Sequence, residues 1–218
     1  MKILGIVGSK RREGNTGLLV KKALEGAKKE RDRLVEKGRE KQEIEVSTQL
    51  INLDDYIFAG CCGCEGCKET FRCVINDDMQ EIYPLLLEAD ALILGSPTYF
   101  YNVTSDVKAM IDRCYCWDVF HEEDRAVWVS LNEATGIKYA VVISVCEQET
   151  VEDMGFTPEA LAKPLEALGY RLVEKVNAFY LYEKGAALQD ENTLQKAEKA
   201  GRKLVKTELL RQTVKRKL

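Results

Sequence analysis

The chain has one histidine in 218 residues, His121, which lies in a polar stretch. No Cys–His or Ser–His–Asp constellation is assembled around it, and no acid–base residue stands out elsewhere, so nucleophilic hydrolysis finds no machinery here. Excess charge of either sign is also missing. A formal net charge of −4 gives no reason to expect nucleic acid or an anionic membrane as a partner. No apolar run approaches the roughly 20 residues that cross a bilayer, and Met1 leads straight into a β-like run without a basic n-region or a small-residue cleavage site. The expectation is a cytoplasmic protein. Internal repeats and low-complexity tracts are absent as well. What remains is a chain with 45% hydrophobic residues, enough for a substantial core, and a length that fits one domain over residues 1–218. It also has eight cysteines. In a reducing cytosol these do not form a disulfide framework, and their clustering favours metal or redox chemistry.

Apolar runs alternate with helical patterns. Lys2–Gly8 (KILGIVG) reads as a buried parallel strand, and Leu19, Ala23, Gly26 and Ala27 recur at helical spacing after it. Lys28–Gln42 is almost wholly charged and reads as a solvated helix end and linker. Ile44–Leu53 alternates as a second strand. Asp77–Asp78 opens a helix through about Glu88, with acids at its positive end. Ala89–Gly95 is the third strand, and Val103, Val107, Met110, Ile111 and Cys114 share one face of the next helix. Trp117–Gly136 looks irregular and polar, a surface excursion. Tyr139–Val145 is the fourth strand, Thr157 is expected to cap a helix with Pro158 at its first position, Tyr170–Tyr180 is the fifth strand, and a helix from Asp190 to about Arg216 ends the series. Five strands alternating with helices predict an α/β fold, a doubly wound parallel sheet with helices on both faces. Its ligand should sit beyond the carboxyl ends of the strands, at a switch point.

Four cysteines, Cys61, Cys64, Cys67 and Cys73, fall in one loop at 60–74 with the spacing C-x2-C-x2-C-x5-C. Four thiols on one short loop cannot all be core residues. The spacing is similar to the thiolate ladder of a cubane iron–sulfur cluster. Zinc, which usually joins two ligand pairs across a spacer, is the inorganic rival, and thiols without metal are the third reading. Cys62 would leave a cramped C-x-C step to Cys64 and is set aside, while Gly63 and Gly66 suit tight turns that aim N–H groups at sulfur. Cys114 and Cys116, whose C-x-C spacing makes a poor redox pair, read as buried or incidentally exposed thiols. Cys146 reads as a core thiol, with a cofactor neighbour as the alternative.

The segment Gly8–Thr16 (GSKRREGNT) leaves a strand and enters a helix. A phosphate here would meet free backbone N–H groups and the positive end of the helix dipole. Ser9, Asn15 and Thr16 offer hydroxyl and amide donors, Arg11 a guanidinium, and Gly14 a backbone able to bend around oxygens. The loop is neither a Walker A motif nor GxGxxG, and by itself it is also compatible with a routine connection.

Taken together, these segments resemble a known family. GSKRREGNT is similar to the GSPRxxGNT loop of the flavodoxin-like NAD(P)H-dependent FMN reductases, with Lys10 in place of proline. Ser96–Asn102 (SPTYFYN), followed by Lys108 and Asp112–Arg113, resembles the family's SPxYxxN…K…DR segment. The cysteine loop with Asp77–Asp78–Met79 behind it resembles the iron–sulfur flavoprotein branch, whose members carry FMN and a [4Fe–4S] cluster in each subunit. The three motifs lie between residues 8 and 113, and the excursion 117–136 has no counterpart in the resemblance.

The resemblance implies an FMN-dependent oxidoreductase that relays electrons between a [4Fe–4S] cluster and FMN to an acceptor such as oxygen, peroxide or a quinone. Ser9, Arg11, Asn15 and Thr16 would hold the phosphate. Pro97, Thr98, Tyr99, Phe100 and Asn102 would wall the flavin with apolar faces and backbone donors, although three neighbouring aromatics can also be packing under a helix. The loop Ser144–Glu149 would approach the ring's far side. Cys61, Cys64, Cys67 and Cys73 would hold the cluster. Ferredoxin or NAD(P)H is the implied electron donor, and a homodimer or homotetramer the implied assembly. A cluster-free NAD(P)H-dependent FMN or quinone reductase, and a zinc-holding flavodoxin-like binding protein, are the competing readings.

Overall fold

Strand β1 (Lys2–Val7) is buried from Ile3 onward, as a central parallel strand covered on both faces must be. The computed structural model describes residues 1–36 and 45–218. The elements that follow β1 are α1 (Asn15–Glu36), β2 (Ser47–Asn52), α2 (Met79–Glu88), β3 (Ala91–Pro97), α3 (Ser105–Arg113), β4 (Asp118–Phe120), β5 (Trp128–Ser130), α4 (Leu131–Thr135), β6 (Lys138–Val145), α5 (Thr157–Ala167), β7 (Tyr170–Ala178) and α6 (Glu191–Lys217).

The five-stranded sheet runs β2-β1-β3-β6-β7, and every neighbouring pair in it is parallel. This is the flavodoxin-like order, with its switch point between β1 and β3. Alternate residues feed two cores. Leu4, Ile6, Leu92, Leu94 and Val142 pack with Ile82, Met110 and Leu161 of α2, α3 and α5. Ile3, Val7, Ile93, Val141 and Ile143 pack with Leu19, Val20, Leu204 and Val205 of α1 and α6. The two helices of that second face approach closely. A Cβ on Gly26 would lie 2.1 Å from the Glu198 carbonyl oxygen, and one on Gly201 would lie 1.8 Å from that of Ala23.

Four expectations need correction. The charged stretch from Lys28 stays helical to Glu36, and Glu30 within it is buried against α6, 3.6 Å from Arg202 and 3.9 Å from Lys206; the rest of that stretch, 37–42, and Ile44 lie outside the described residues. Tertiary pairing across the glycine contact makes an interface of a face that charge alone marks as solvated. The excursion 117–136 is not irregular: β4 and β5 form an antiparallel hairpin, and α4 follows with a full capping box between Ser130 and Glu133. Thr157 is not the cap of α5 but its first residue. Phe156 stands at the cap position because its N–H is taken by the Tyr101 carbonyl (2.8 Å), and the Thr157 hydroxyl is buried without a partner. The fifth strand ends at Ala178, and Tyr180 beyond it has φ 58°.

Candidate functional site

Two groups of loops bring the candidate residues together. The first lies where β1, β3, β6 and β7 end. Gly8 donates to the Gly95 carbonyl (2.8 Å), and Thr104, the cap of α3, donates its hydroxyl to the Gly8 carbonyl (2.8 Å) while its N–H reaches the Ser96 hydroxyl (3.2 Å). One threonine thereby locks the ends of two strands to the start of a helix. Gly14 is needed for close approach rather than for an unusual dihedral, since a Cβ there would lie 2.7 Å from the Arg11 carbonyl oxygen. The N–H groups of the first turn of α1 have no helical carbonyl behind them and face this end of the sheet.

A cleft opens beside the loop, and Ser9, Arg11, Asn15, Thr16, Pro97, Thr98 and Tyr99 all line it. Of the residues assigned to this site from sequence, the structure brings those seven together. Phe100 is almost fully exposed and Asn102 is turned to solvent, where its side chain accepts from its neighbour Val103 (2.8 Å). Asn102 acts through its backbone instead, closing a tight turn with Tyr99 (2.7 Å). Asn15 lines the cleft, but its amide is already committed. Nδ2 donates to the carbonyls of Leu181 (3.0 Å) and Glu183 (2.9 Å), and Oδ1 accepts from Ala187 N (3.0 Å). It is the anchor of the loop after β7.

That loop is what sequence reasoning missed. It adds Leu181, Tyr182 and Lys184 to the cleft, and the carbonyl of Tyr182 accepts from Arg11 (2.9 Å) while its ring lies under the guanidinium (5.4 Å). The loop after β6 contributes Val145 and Glu147, and Cys146 stays buried behind them, as expected for a core thiol. Thr98 is fixed by donating its N–H to the Val145 carbonyl (2.7 Å), yet its hydroxyl oxygen is buried without any partner.

The second group is the cysteine loop. It has no regular secondary structure, so side chains tie it down. Asp78 accepts from Ile57 N (2.6 Å), and Asp77 accepts from Ala59 N (3.1 Å) and Met79 N (3.2 Å), which binds the loop's entrance to the start of α2. Cys61, Cys64, Cys67 and Cys73 then line one small apolar cavity together with Cys62, Cys116 and Arg113. Gly63 (φ 66°) aims its N–H at the Cys61 sulfur (3.4 Å), and the Gly66 amide lies near the Cys64 thiol. That amide and the Cys62 thiol hold the Cys64 pKa below the usual thiol value, whereas burial raises that of Cys67. Burial pushes Cys116 up to about 12 and Cys114 well above its ordinary value, which leaves both as neutral thiols at neutral pH. The sequence left burial or incidental exposure open for those two; the structure buries both and makes Cys116 the back of the cysteine cavity. Among the described residues, no three Cys, His, Asp or Glu side chains gather closely enough to hold a single metal ion.

The hairpin β4–β5 leans on this loop. Arg125 at its turn bonds the Tyr115 hydroxyl (2.7 Å), lies 4.5 Å from the Phe120 ring centre and reaches Glu65 of the cysteine loop at 3.7 Å. His121 sits exposed in the same hairpin and lines neither cavity.

Left-handed backbone marks both regions. The six described non-glycine residues with positive φ are Glu13, Glu65, Phe71, Phe100, Tyr101 and Tyr180. Each lies in a loop of the cleft or of the cysteine cavity. Such conformations cost on the order of 1–3 kcal/mol each and persist where surrounding structure imposes them, which is common at binding sites.

Comparison with known proteins points to a family and a fold. Residues 1–147 match the family model described as NADPH-dependent FMN reductase. An iron–sulfur flavoprotein of Methanocaldococcus jannaschii is 42% identical over 113 residues, covering 52% of this chain and 51% of the relative. One from Archaeoglobus fulgidus is 41% identical over 113 residues (52% and 45%), and one from Methanosarcina thermophila 36% over 113 residues (52% of each). The aligned stretch therefore spans about half the length of the curated relatives. Among solved structures, an NAD(P)H:quinone oxidoreductase from Methanothermobacter marburgensis superposes with TM-score 0.64 at 16% identity, covering 93% of this chain and 98% of the other. An FMN-dependent NADH-azoreductase from Bacillus anthracis, in complex with FMN, superposes with TM-score 0.64 at 16% identity, covering 94% and 99%. At such identities these two establish the shared fold.

Proposed function

The chain belongs to the NADPH-dependent FMN reductase family, a family of flavin-dependent oxidoreductases, and we propose that it works there as an electron-transfer protein holding both FMN and a [4Fe–4S] cluster. The observation that carries this reading is the convergence of Cys61, Cys64, Cys67 and Cys73 on one cavity, on the same chain as the polar cleft at the strand ends.

The residues present fit both groups. For FMN, the cleft offers the N-terminal turn of α1, the Ser9 and Thr16 hydroxyls, and the cations Arg11 and Lys184 to a phosphate dianion. The buried, unpartnered Thr98 hydroxyl is a polar atom that gains a partner if a ring edge lies against β3. For the cluster, the donor set is four thiols, with a peptide N–H group on Cys61. In a cubane each thiolate ligates its own iron, so its four sulfurs stand farther apart than the ligands of one ion. When bound, FMN supplies exchange of electrons singly or in pairs, and the cluster supplies exchange one at a time.

The chain's own residues do the rest. Arg11, held by the Tyr182 carbonyl and ring, orients its charge toward the phosphate end. Pro97, Thr98 and Tyr99 present one wall of the ring pocket, and Val145 and Glu147 another. Gly63 directs its N–H at the Cys61 sulfur, which favours the reduced state of a thiolate-bound centre. Phe100, Tyr101, Phe156, Tyr180 and Tyr182 are exposed around the cleft, an apolar rim that supports assembly as a homodimer or homotetramer. The electron source assigned here is ferredoxin or NAD(P)H, and the acceptor is oxygen, peroxide or a quinone. Among the described residues no helix is long and apolar enough to cross a membrane.

A second reading, a cluster-free NAD(P)H-dependent FMN or quinone reductase, is favoured by the description of the matching family model. Anaerobic absorbance spectra with iron, sulfide, zinc and FMN analysis separate the two. About four irons per chain with slow NAD(P)H oxidation support the cluster, while iron-free protein that oxidises NAD(P)H rapidly supports the reductase. Cys67→Ala should lose the iron and keep FMN. Loss of both groups would mean that the cysteine loop also builds the flavin cleft, and one zinc per chain without flavin would overturn the proposal.

A further inference from the structure

Arg113 has the largest fully buried side chain of the described residues, and it is charged. It ends α3, a helix whose other buried residues are apolar. A buried guanidinium is tolerated only when its donors are answered. Nη1 donates to Asp77 Oδ2 (2.6 Å) and to the Ala59 carbonyl (2.9 Å), and Nη2 donates to Asp77 Oδ1 (3.0 Å) and the Ile75 carbonyl (3.4 Å). Nε donates to the Cys73 sulfur (3.2 Å). One side chain, delivered from a helix outside the loop, thus grips the loop's entrance, its exit and one of its thiols.

Cys73 is the cysteine that needs such help. The other three follow in two-residue steps with glycines between them, and the first of them, Cys61, accepts from the Gly63 amide two residues on. Cys73 comes after Lys68–Glu69–Thr70–Phe71–Arg72, a span without glycine in which Phe71 is forced to φ 53°. Among the described residues, Cys73 is also the one member of the four whose sulfur accepts from a charged donor.

We propose that Arg113 is the positioning residue of the fourth cysteine ligand: its buried guanidinium presets Cys73 toward the cavity shared with Cys61, Cys64 and Cys67, and its Nε–H bond to that sulfur raises the reduction potential of the group held there. This rests on the cluster reading above. A hydrogen bond to a ligating sulfur withdraws negative charge from the centre, so accepting an electron becomes easier. Lysine cannot replace the fork, because a single ammonium cannot engage both Asp77 oxygens, two carbonyls and a sulfur in one plane.

The test uses the anaerobic holoprotein reconstituted with ferrous iron and sulfide. Arg113→Lys keeps the charge beside Asp77. The double variant Arg113→Gln/Asp77→Asn removes both charges together, so that no lone buried ion prevents folding. FMN content and melting temperature monitor the fold. Midpoint potential, the electron paramagnetic resonance signal of the reduced protein and iron release to a chelator report on the centre. The expected result is FMN as in wild type, a more negative midpoint potential, an altered resonance signal and iron release about tenfold faster, within the range seen when partners of metal ligands are removed. Unchanged potential, signal and release with only a lower melting temperature would overturn the assignment and make Arg113 a structural clasp. A wild type that takes up neither iron nor sulfide overturns the cluster reading itself, and this assignment with it.

Discussion

The cleft and the cysteine cavity are held in place by opposite means. The cleft is made of strand ends: Gly8, Thr98 and Cys146 are each fixed by a backbone hydrogen bond to the neighbouring strand's end, at 2.8, 2.7 and 2.8 Å. Its shape follows from the parallel sheet, and its side chains can vary while the backbone donors stay. The cysteine loop has no strand or helix between Asp55 and Met79. Its position depends on a few polar side chains, the partly buried Asp77 and Asp78 and the buried Arg113, that must all be present. A fold-borne site degrades gradually, whereas a clasped loop fails when one partner is lost.

The strongest test of that contrast is Arg113→Ala. Burial opposes the Arg113 charge, and its bonds to Asp77 and Cys73 outweigh that cost, while Arg113 in turn holds the Asp77 carboxyl below the usual carboxylate range. Removing the guanidinium leaves Asp77, 16% exposed, without its partner. Breaking a buried pair in this way costs about 3–5 kcal/mol. Urea unfolding should show a loss of that size, and hydrogen exchange should place the opening in residues 57–79 while β1 and β3 stay protected. Equal deprotection of the sheet would erase the distinction between the two regions.

Gly8→Ala makes the reverse test. An added Cβ would lie 2.1 Å from the Val107 side chain and 3.1 Å from the Gly95 carbonyl oxygen, where strand, loop and α3 meet. Overpacking of this kind costs about 1–3 kcal/mol. The variant should melt earlier and bind FMN more weakly while its cysteine loop keeps wild-type iron. A variant that loses iron but binds FMN normally would show that the loop, not the cleft, leans on this junction.

The same contrast explains what could be read from the sequence. The strands, the helix faces and the polar loop Gly8–Thr16 were legible because period and punctuation are local properties. Val103, Val107, Met110, Ile111 and Cys114 are all buried as their spacing requires. The meeting of the four cysteines at one cavity was legible because thiols so close in sequence cannot avoid one another. Their supports were not. Arg113 enters the sequence reading only as the end of the SPxYxxN…K…DR segment, and it is the return of residues 59–77 over α3 that buries it. Tyr182 and Lys184 join the cleft through Asn15, whose amide looked free for a phosphate until the loop after β7 claimed it. The hairpin at 118–130 was illegible because its strands are three residues long, too short to show a period.

That hairpin supplies the smallest and most selective test, through Asp118 at its base. Asp118 lines a groove with Cys61, Gly63 and Glu65 of the cysteine loop, and one of its carboxyl oxygens is buried without a partner. Burial, reinforced by Glu133, pushes its pKa up to about 6. The folded protein therefore binds this proton more tightly than the unfolded chain does. Stability from Asp118 should rise as pH falls from about 6 towards the unfolded value near 4, and the penalty of the ionised form should be complete above pH 6. Asp118→Asn removes the charge and keeps the shape. It should stabilise the protein by about 1–2 kcal/mol at pH 8, allowing for partial solvent access, and by nothing near pH 4. Followed by urea unfolding at both pH values, with FMN retention measured in parallel, the gain should appear without a change at the cleft. A gain that is equal at pH 4 and pH 8 would mean that Asn improves packing and that the Asp118 charge carries no penalty in the fold.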